Sequence, residues 1–232
     1  MTQRKIQYWV IPPKQNAQFA ANMENVLEIY KRPYDERFPV ICMDEQPVQL
    51  LEEVNIPIAA TKNHARRADY EYKRAGTVSI FMFCEPLFGW RHVSVRPRRT
   101  KIDWAIEVRD LMIGRYRNAE KVTLVCDNLN THATGSFYEA FAAHEARSLL
   151  ERLDLQYTPK HGSWLNIAEN ELSSMTRQAM HGRRFATIES IREQVSAWAD
   201  ATNARQRGVD WQFTVENSRV KLKHLYPQIK CG

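Results

Sequence analysis

Hydrophobic and polar positions follow two different periods along this chain, and the switches between them mark its elements. After an extended lead-in (YWVIPP), residues 16–31 place Phe19, Met23, Val26, Leu27 and Tyr30 on one face at helical spacing. Arg32-Pro33 ends that helix, because a residue preceding proline disfavours helical dihedrals. A short apolar run, 38–43, closes at Asp44 and reads as a strand, whereas residues 46–75 are polar, without period, and read as an excursion over the surface. TVSIFMFCEP (77–86) and GWRHVSV (89–95) predict two antiparallel strands joined by a turn around Pro86 and Gly89. Thr100 can cap a helix through residue 116 whose buried stripe is Trp104, Val108, Leu111 and Met112. A strand at 121–126, a helix over 136–153 and a strand LDLQYTP closed by Pro159 come next. A helix then opens at Ser163, with Leu165, Ala168, Leu172, Met175 and Ala179 as its apolar stripe. Thr187 caps a last long helix to about residue 204, and a short one is predicted around 216–225.

This order of strands and helices, without repeat, low-complexity tract or Gly/Ser linker, describes one mixed α/β domain with an N-terminal helical extension. At 232 residues the chain can bury a substantial core, and 44% apolar with 26% charged residues is ordinary for a globular protein. No apolar stretch approaches the roughly 18–20 residues that span a bilayer, and the first residues contain no signal-peptide core. The expectation is a cytoplasmic, nucleoid-associated protein with no membrane partner. Cys42, Cys84, Cys126 and Cys231 show no CxxC spacing; the first three lie in or at the ends of apolar runs, as small buried hydrophobes do. The Trp residues at 90, 104, 164, 198 and 211 also fall at apolar positions.

Charge changes the picture modestly. The net charge is +6, and the basic residues gather in three knots: His64 with Arg66 and Arg67; Arg96, Arg98, Arg99 and Lys101; and Arg183 with Arg184. These arginines and Lys101 are the candidates for contacts to nucleic-acid phosphates.

The candidate chemistry lies in the acids. KVTLVCDNLNTH (121–132) delivers Asp127 at a strand end, followed by Asn128, Asn130 and His132, short polar groups able to hold waters or phosphates. TPKHGSWLNIAENE (158–171) opens into a helix carrying Glu169, and FPVICMDEQ ends a strand at Asp44. Three acids from three elements meet only in the folded state, where they repel one another unless a divalent cation neutralises them. Oxygen-only ligands favour Mg²⁺ or Mn²⁺, the design of two-metal phosphoryl transfer with ions about 3.5–4 Å apart. Period alone leaves Asp44 against Glu45 open, since both faces of 40–45 are apolar. Glu169 and Glu171 flank the helix stripe on opposite sides; Asn166, one turn earlier, favours Glu169 weakly. His132 lacks any other His or Cys at ligand spacing, so it reads as a group beside a metal ligand or the substrate. No GxGxxG, P-loop, GxSxG or HExxH is present.

The motifs VICMDEQ, RADYEYKRAGTVSIFMF, EPLFGWRHV, VCDNLNTH, YTPKHGSWLNIAE and VDWQFT with KLKHLYP carry a family resemblance over nearly the whole chain. The sequence resembles the catalytic domain of mariner-superfamily transposases of the bacterial insertion-sequence branch. These are DDE enzymes with a ribonuclease H-like fold, a mixed sheet flanked by helices. The resemblance implies Asp44, Asp127 and Glu169 as catalytic and metal-binding acids, with two Mg²⁺ (or Mn²⁺) as cofactors, and so decides against Glu45 and Glu171. It implies metal-dependent DNA strand cleavage and strand transfer, on element ends and TA-containing target DNA. Asn128, Asn130, His132, Lys160, His161, Trp164 and Asn166 are the candidates for positioning the DNA strand. Such transposases carry N-terminal helix-turn-helix modules. Here residues 1–37 read as the remnant of a linker to such a module and 38–232 as the catalytic domain, with a homodimer or a separately encoded helix-turn-helix chain as partners. The alternatives are a ribonuclease H-like nuclease without strand transfer and an inactive DNA-binding remnant.

Overall fold

The computed structural model describes residue 14 and residues 16–65, 67 and 69–227. The lead-in, Arg66 and Cys231 lie outside the described residues. Within them, five strands form one mixed sheet: β1 (Val40–Glu53), β2 (Tyr72–Glu85), β3 (Trp90–Arg96), β4 (Val122–Cys126) and β5 (Leu153–Tyr157), in the order β3-β2-β1-β4-β5. β1, β2 and β3 pair antiparallel as consecutive strands, whereas β4 joins β1 and β5 joins β4 in parallel. The helices are α1 (Ala17–Tyr30), α2 (Lys101–Ile113), α3 (Gly135–Ala140), α4 (Ala143–Arg152), α5 (Ile167–Met175), α6 (Ile188–Asn203) and α7 (Val215–Lys221).

Alternation along the central strands divides the interior into two cores. Val40 and Cys42 of β1 and Val78, Ile80, Met82 and Cys84 of β2 face α1, α5, α6 and the C-terminal segment. Ile41 and Met43, with Phe81 and Phe83, face α2, α3 and α4, where Trp104 is fully buried. Both faces of the sheet are covered, which is why residues 40–43 read as uniformly apolar. The expected stripes of α1, α2 and α5 are the buried ones. Helix α1 packs into the same core as β1 and α5, and Arg219 reaches Glu24 at 2.8 Å. Cys42, Cys84 and Cys126 are buried free thiols. Among the described residues no helix is long and apolar enough to cross a membrane.

Three expectations need correction. Strand β1 does not end at Asp44 but runs on to Glu53, pairing with β2 as far as Glu53↔Tyr72, so the excursion shrinks to the residues between Glu53 and Tyr72. Beyond Cys42, β1 keeps β2 but loses β4, and a strand with one neighbour tolerates Pro47 and half-exposed polar residues. The helix read over 136–153 is two helices: Phe141 and Ala142 take extended dihedrals, setting Phe141 beside Phe137 and under the Arg109 guanidinium. The helix expected to open at Ser163 begins with a single 3₁₀ turn, and α5 starts at Ile167.

Candidate active site

The parallel pairing of β1 with β4 sets Val40 beside Thr123 and Cys42 beside Val125. Continued by two residues, that register brings Asp44 level with Asp127, on the face that α5 covers. Asn166 fixes how α5 arrives there. Its side chain accepts from Ala168 N–H at 3.1 Å, capping the helix, and its Nδ2 donates to the Met43 carbonyl at 2.8 Å, next to Asp44. Glu169 therefore stands in the first turn of α5, exposed, on the same side of the sheet as the two aspartates. Asn166 itself is buried, and its side chain is engaged in positioning the helix.

The three charges act on one another. Burial pushes the Asp44 carboxyl up to about 7; a hydrogen bond from Glu45 N–H at 2.8 Å works against this, while the negative charges of Asp127, Glu169 and Glu45 add to it. Asp127 is steadied from the other side. His132, 1% exposed, has Nδ1 2.7 Å from Asp127 Oδ1 and Nε2 3.1 Å from Glu45 Oε1. Burial disfavours the imidazolium, but its bonds to Asp127, Cys126 and Glu45 outweigh burial and push its pKa up to about 12. The Tyr157 hydroxyl donates to the His132 carbonyl at 2.6 Å and His132 N–H to the Leu129 carbonyl at 3.0 Å, which clamps the loop after Asp127. Glu45, on the opposite side of β1 from Asp44, is thereby occupied by a basic neighbour.

Glu171 is occupied too. It is buried, and Arg91 donates to it twice, at 2.7 and 3.0 Å, while Nη1 of the same guanidinium reaches the Arg207 carbonyl at 2.7 Å. This pair joins α5 to β3 and to the segment after α6. The two acids that spacing could not separate are thus divided by environment: Glu171 is enclosed as an ion pair, Glu169 faces the cleft.

Two hollows flank the acids. One, of about 500 Å³, is lined by Asp127, Asn128, Thr158, Lys160, His161 and Ser163 among others. The second, of about 420 Å³, is lined by Asp44, Glu45, Gln46 and Glu169 together with Ser173, Thr176 and Arg177. The turn before α5 is shaped by a close approach: a Cβ on Gly162 would lie 2.5 Å from Pro159 Cγ. His161, just before it, takes the left-handed conformation at φ 66°, a strain of the kind that clusters at functional sites. Lys160 and His161 are exposed, as are Asn128 and Asn130. Trp164 is half-buried and packs edge-on against Phe213 at 5.7 Å, whereas His132 is enclosed.

The basic knots separate in the same way. Arg96 bonds Glu107 and lies 3.7 Å from Asp103; Arg184 bonds Glu53 at 2.6 Å; Lys101 bonds Glu139 at 3.0 Å; Arg183 bonds Gln194. Arg67, Arg98 and Arg99 are exposed, and their side chains bond no partner among the described residues. Sequence reading overlooked Arg177, although it lies about two helical turns beyond Glu169. It also overlooked the partners of the excluded acids, Arg91 and the His132–Glu45 contact.

The donor set fits Mg²⁺ or Mn²⁺: it is all oxygen, and the repulsion that raises Asp44 is what a divalent cation relieves. The spacing is another matter. Among the described residues no group of three or more His, Cys, Asp and Glu stands close enough to hold one ion. All three carboxylates were expected within reach of shared ions; here His132 Nδ1 stands 2.7 Å from Asp127 Oδ1, and Glu169 is exposed at the rim of the hollow it shares with Asp44.

The mixed five-stranded sheet flanked by helices can be compared with known proteins. The family model of the DDE superfamily endonucleases matches residues 39–192, and the chain belongs to that family. A comparison with curated proteins finds no match. Similar solved structures include the Mos1 mariner paired end complex with Mn, at 17% identity and TM-score 0.53, covering 86% of this chain and 60% of that one. The Mos1 strand transfer complex is 15% identical with TM-score 0.57, covering 89% and 61%. A pre-cleavage Mos1 transpososome is 14% identical with TM-score 0.58, covering 99% and 68%. Identities this low establish the shared ribonuclease H-like fold. The chain spans about 60% of the length of the first of these structures.

Proposed function

We propose that this chain is a transposase catalytic domain of the mariner superfamily, cleaving a DNA strand and joining the freed 3′ end to target DNA, with Asp44, Asp127 and Glu169 as its catalytic acids. The observation that carries the reading is the parallel pairing of β1 with β4, whose register, continued two residues past Cys42 and Val125, sets Asp44 level with Asp127, together with the push of burial and of the Asp127 and Glu169 charges on Asp44, up to about 7. The family match and the likeness to Mos1 paired-end and strand-transfer complexes support it.

Two Mg²⁺ or Mn²⁺ ions held by the three acids would supply an acidified water and charge stabilisation for the leaving 3′ oxygen. The chain's own groups do the positioning. His132 holds the Asp127 carboxylate in place, and the Glu45 N–H fixes one oxygen of Asp44, leaving the other directed to the cleft. Lys160 and His161 line the 500 Å³ hollow at Asp127, where a DNA backbone can lie. Arg67, Arg98 and Arg99 are free for phosphates, and binding through them is salt-sensitive and poor in sequence information. TA-containing target DNA, a homodimer and a helix-turn-helix partner belong to the same reading. Nicking of supercoiled plasmid with Mg²⁺ or Mn²⁺, together with joining of a labelled 3′-OH oligonucleotide to that plasmid, tests it. Nicking without joining would favour a hydrolytic nuclease, and neither would refute both.

A further inference from the structure

The sheet ends in two edges, and the chain treats them differently. At the β3 edge, Asn203 of α6 accepts from the Arg91 N–H at 2.7 Å and donates to the Arg91 carbonyl at 2.8 Å, as a neighbouring strand would. Further along the same edge, Arg192 donates twice to the Val95 carbonyl, at 2.9 and 3.2 Å. No strand can be added there without displacing both side chains. The β5 edge has no such cover among the described residues. The Thr158 N–H bonds the Cys126 carbonyl at 2.9 Å, so Asp154, Gln156 and Thr158 turn their backbone groups toward β4, and Leu155 and Tyr157 turn theirs away. Nothing among the described residues bonds the outward N–H and C=O of Leu155 and Tyr157. Residues 154–157 are half-buried, so neither α1 nor α4 closes this edge.

The open edge is also complementary to itself. An antiparallel copy of Leu153-Asp154-Leu155-Gln156-Tyr157, centred on Leu155, sets each Asp154 opposite a Gln156 amide and each Leu153 opposite a Tyr157. Sliding the copy by two residues either sets Asp154 against Asp154 or pairs residues beyond the end of β5 at Tyr157. We propose that the β5 edge is the docking surface for a second copy of this chain, joined antiparallel about a two-fold axis through Leu155, so that the two sheets become one. The contact is isologous. The two Leu155 residues exchange N–H and C=O bonds, and each Tyr157 N–H reaches the second copy's Leu153 carbonyl. The Leu153 N–H takes no part, because it already serves the Leu150 carbonyl. Since the strands run in opposite directions, the two Asp127 residues, each next to the end of β4, lie at opposite ends of the joined sheet. This pairing therefore does not bring two acid sites together, and it needs neither DNA nor metal. So short an edge makes a weak, concentration-dependent dimer.

Sedimentation velocity of the full chain tests this over a range of concentrations, without DNA and in chelator, where the proposed function plays no part. The parent should show a monomer–dimer equilibrium. Gln156→Glu places a carboxylate opposite Asp154 twice in each dimer and should weaken it about 2- to 30-fold, less at high salt, whereas Gln156→Lys should tighten it by a similar factor. Opposite effects from one position separate the contact from a general loss of fold, which circular dichroism checks. Single cysteines give the register. Leu155→Cys should cross-link to a dimer with oxidised glutathione, and Asp154→Cys and Gln156→Cys should cross-link no more than the parent. A parent that sediments as a monomer at every concentration overturns the proposal. So does a dimer that ignores both charges at 156, or one that cross-links equally at all three positions.

Discussion

Glu171→Ala removes the acid that spacing could not distinguish from Glu169, and the structure assigns it a cost. The change leaves the Arg91 guanidinium, whose side chain is 1% exposed, enclosed with the Arg207 carbonyl as its one remaining partner among the described residues. Breaking a buried pair from one side costs about 3–5 kcal/mol, because the remaining charge is neither solvated nor paired. For a domain of this size each kcal/mol moves Tm by about 2–4 °C, so the variant should melt about 6–20 °C below the parent. Urea titration should show the same loss as a lowered midpoint at unchanged slope. The double variant Arg91→Met with Glu171→Leu should recover most of it, since apolar side chains of similar volume replace such pairs at little net cost. Glu169→Ala, at an exposed position, should stay within about 0.5 kcal/mol of the parent. A Glu171→Ala protein less than about 1 kcal/mol destabilised, or a Glu169→Ala protein destabilised as much as predicted for Glu171→Ala, would refute the division between structural and cleft-facing acid.

His132→Ala should cost about 3–5 kcal/mol by the same reasoning, because Glu45, 3% exposed in its side chain, is left without its partner; urea midpoints measure it. Asp44 titrates at about 7 in the fold against 3.8 unfolded, so its contribution to stability is full below about pH 3.8 and lost as pH rises toward 7. Relative to Asp44→Asn, the cation-free parent should therefore lose Tm as pH rises through that window, and Mg²⁺ or Mn²⁺ added above it should restore Tm; parallel pH profiles would contradict this. Affinity for duplex DNA should fall steeply between about 50 and 200 mM salt, and Arg98→Ala with Arg99→Ala should flatten that dependence by about 0.9 for each phosphate no longer neutralised.

The strands and helices that carry the acids were legible because each buries an apolar face. The Leu165–Ala179 stripe placed α5, and the run ending at Cys126 placed Asp127. Residues 46–53 were not legible as strand, since a ribbon with one neighbour needs neither alternation nor the absence of Pro47; only the pairing with β2 reveals it. The break at Phe141 was hidden because apolar spacing continues across it. For the site, local sequence placed each acid on its element. The choice between Glu169 and Glu171 depended on Arg91, eighty residues away in the chain, and that between Asp44 and Glu45 on His132. The partners of the basic knots were hidden for the same reason: the pairing of Arg96 with Glu107 and of Arg184 with Glu53 is made only by the fold.

The most direct test of the central claim is nicking of supercoiled plasmid by the parent and by Asp127→Asn, at equal concentration, with Mg²⁺, Mn²⁺ or chelator. The substitution keeps the shape of the side chain and its place beside His132 but removes the charge a cation needs. The account predicts cation-dependent nicking by the parent and none by Asp127→Asn, with both proteins folded by circular dichroism. Equal nicking by the two, or nicking in chelator, would contradict it.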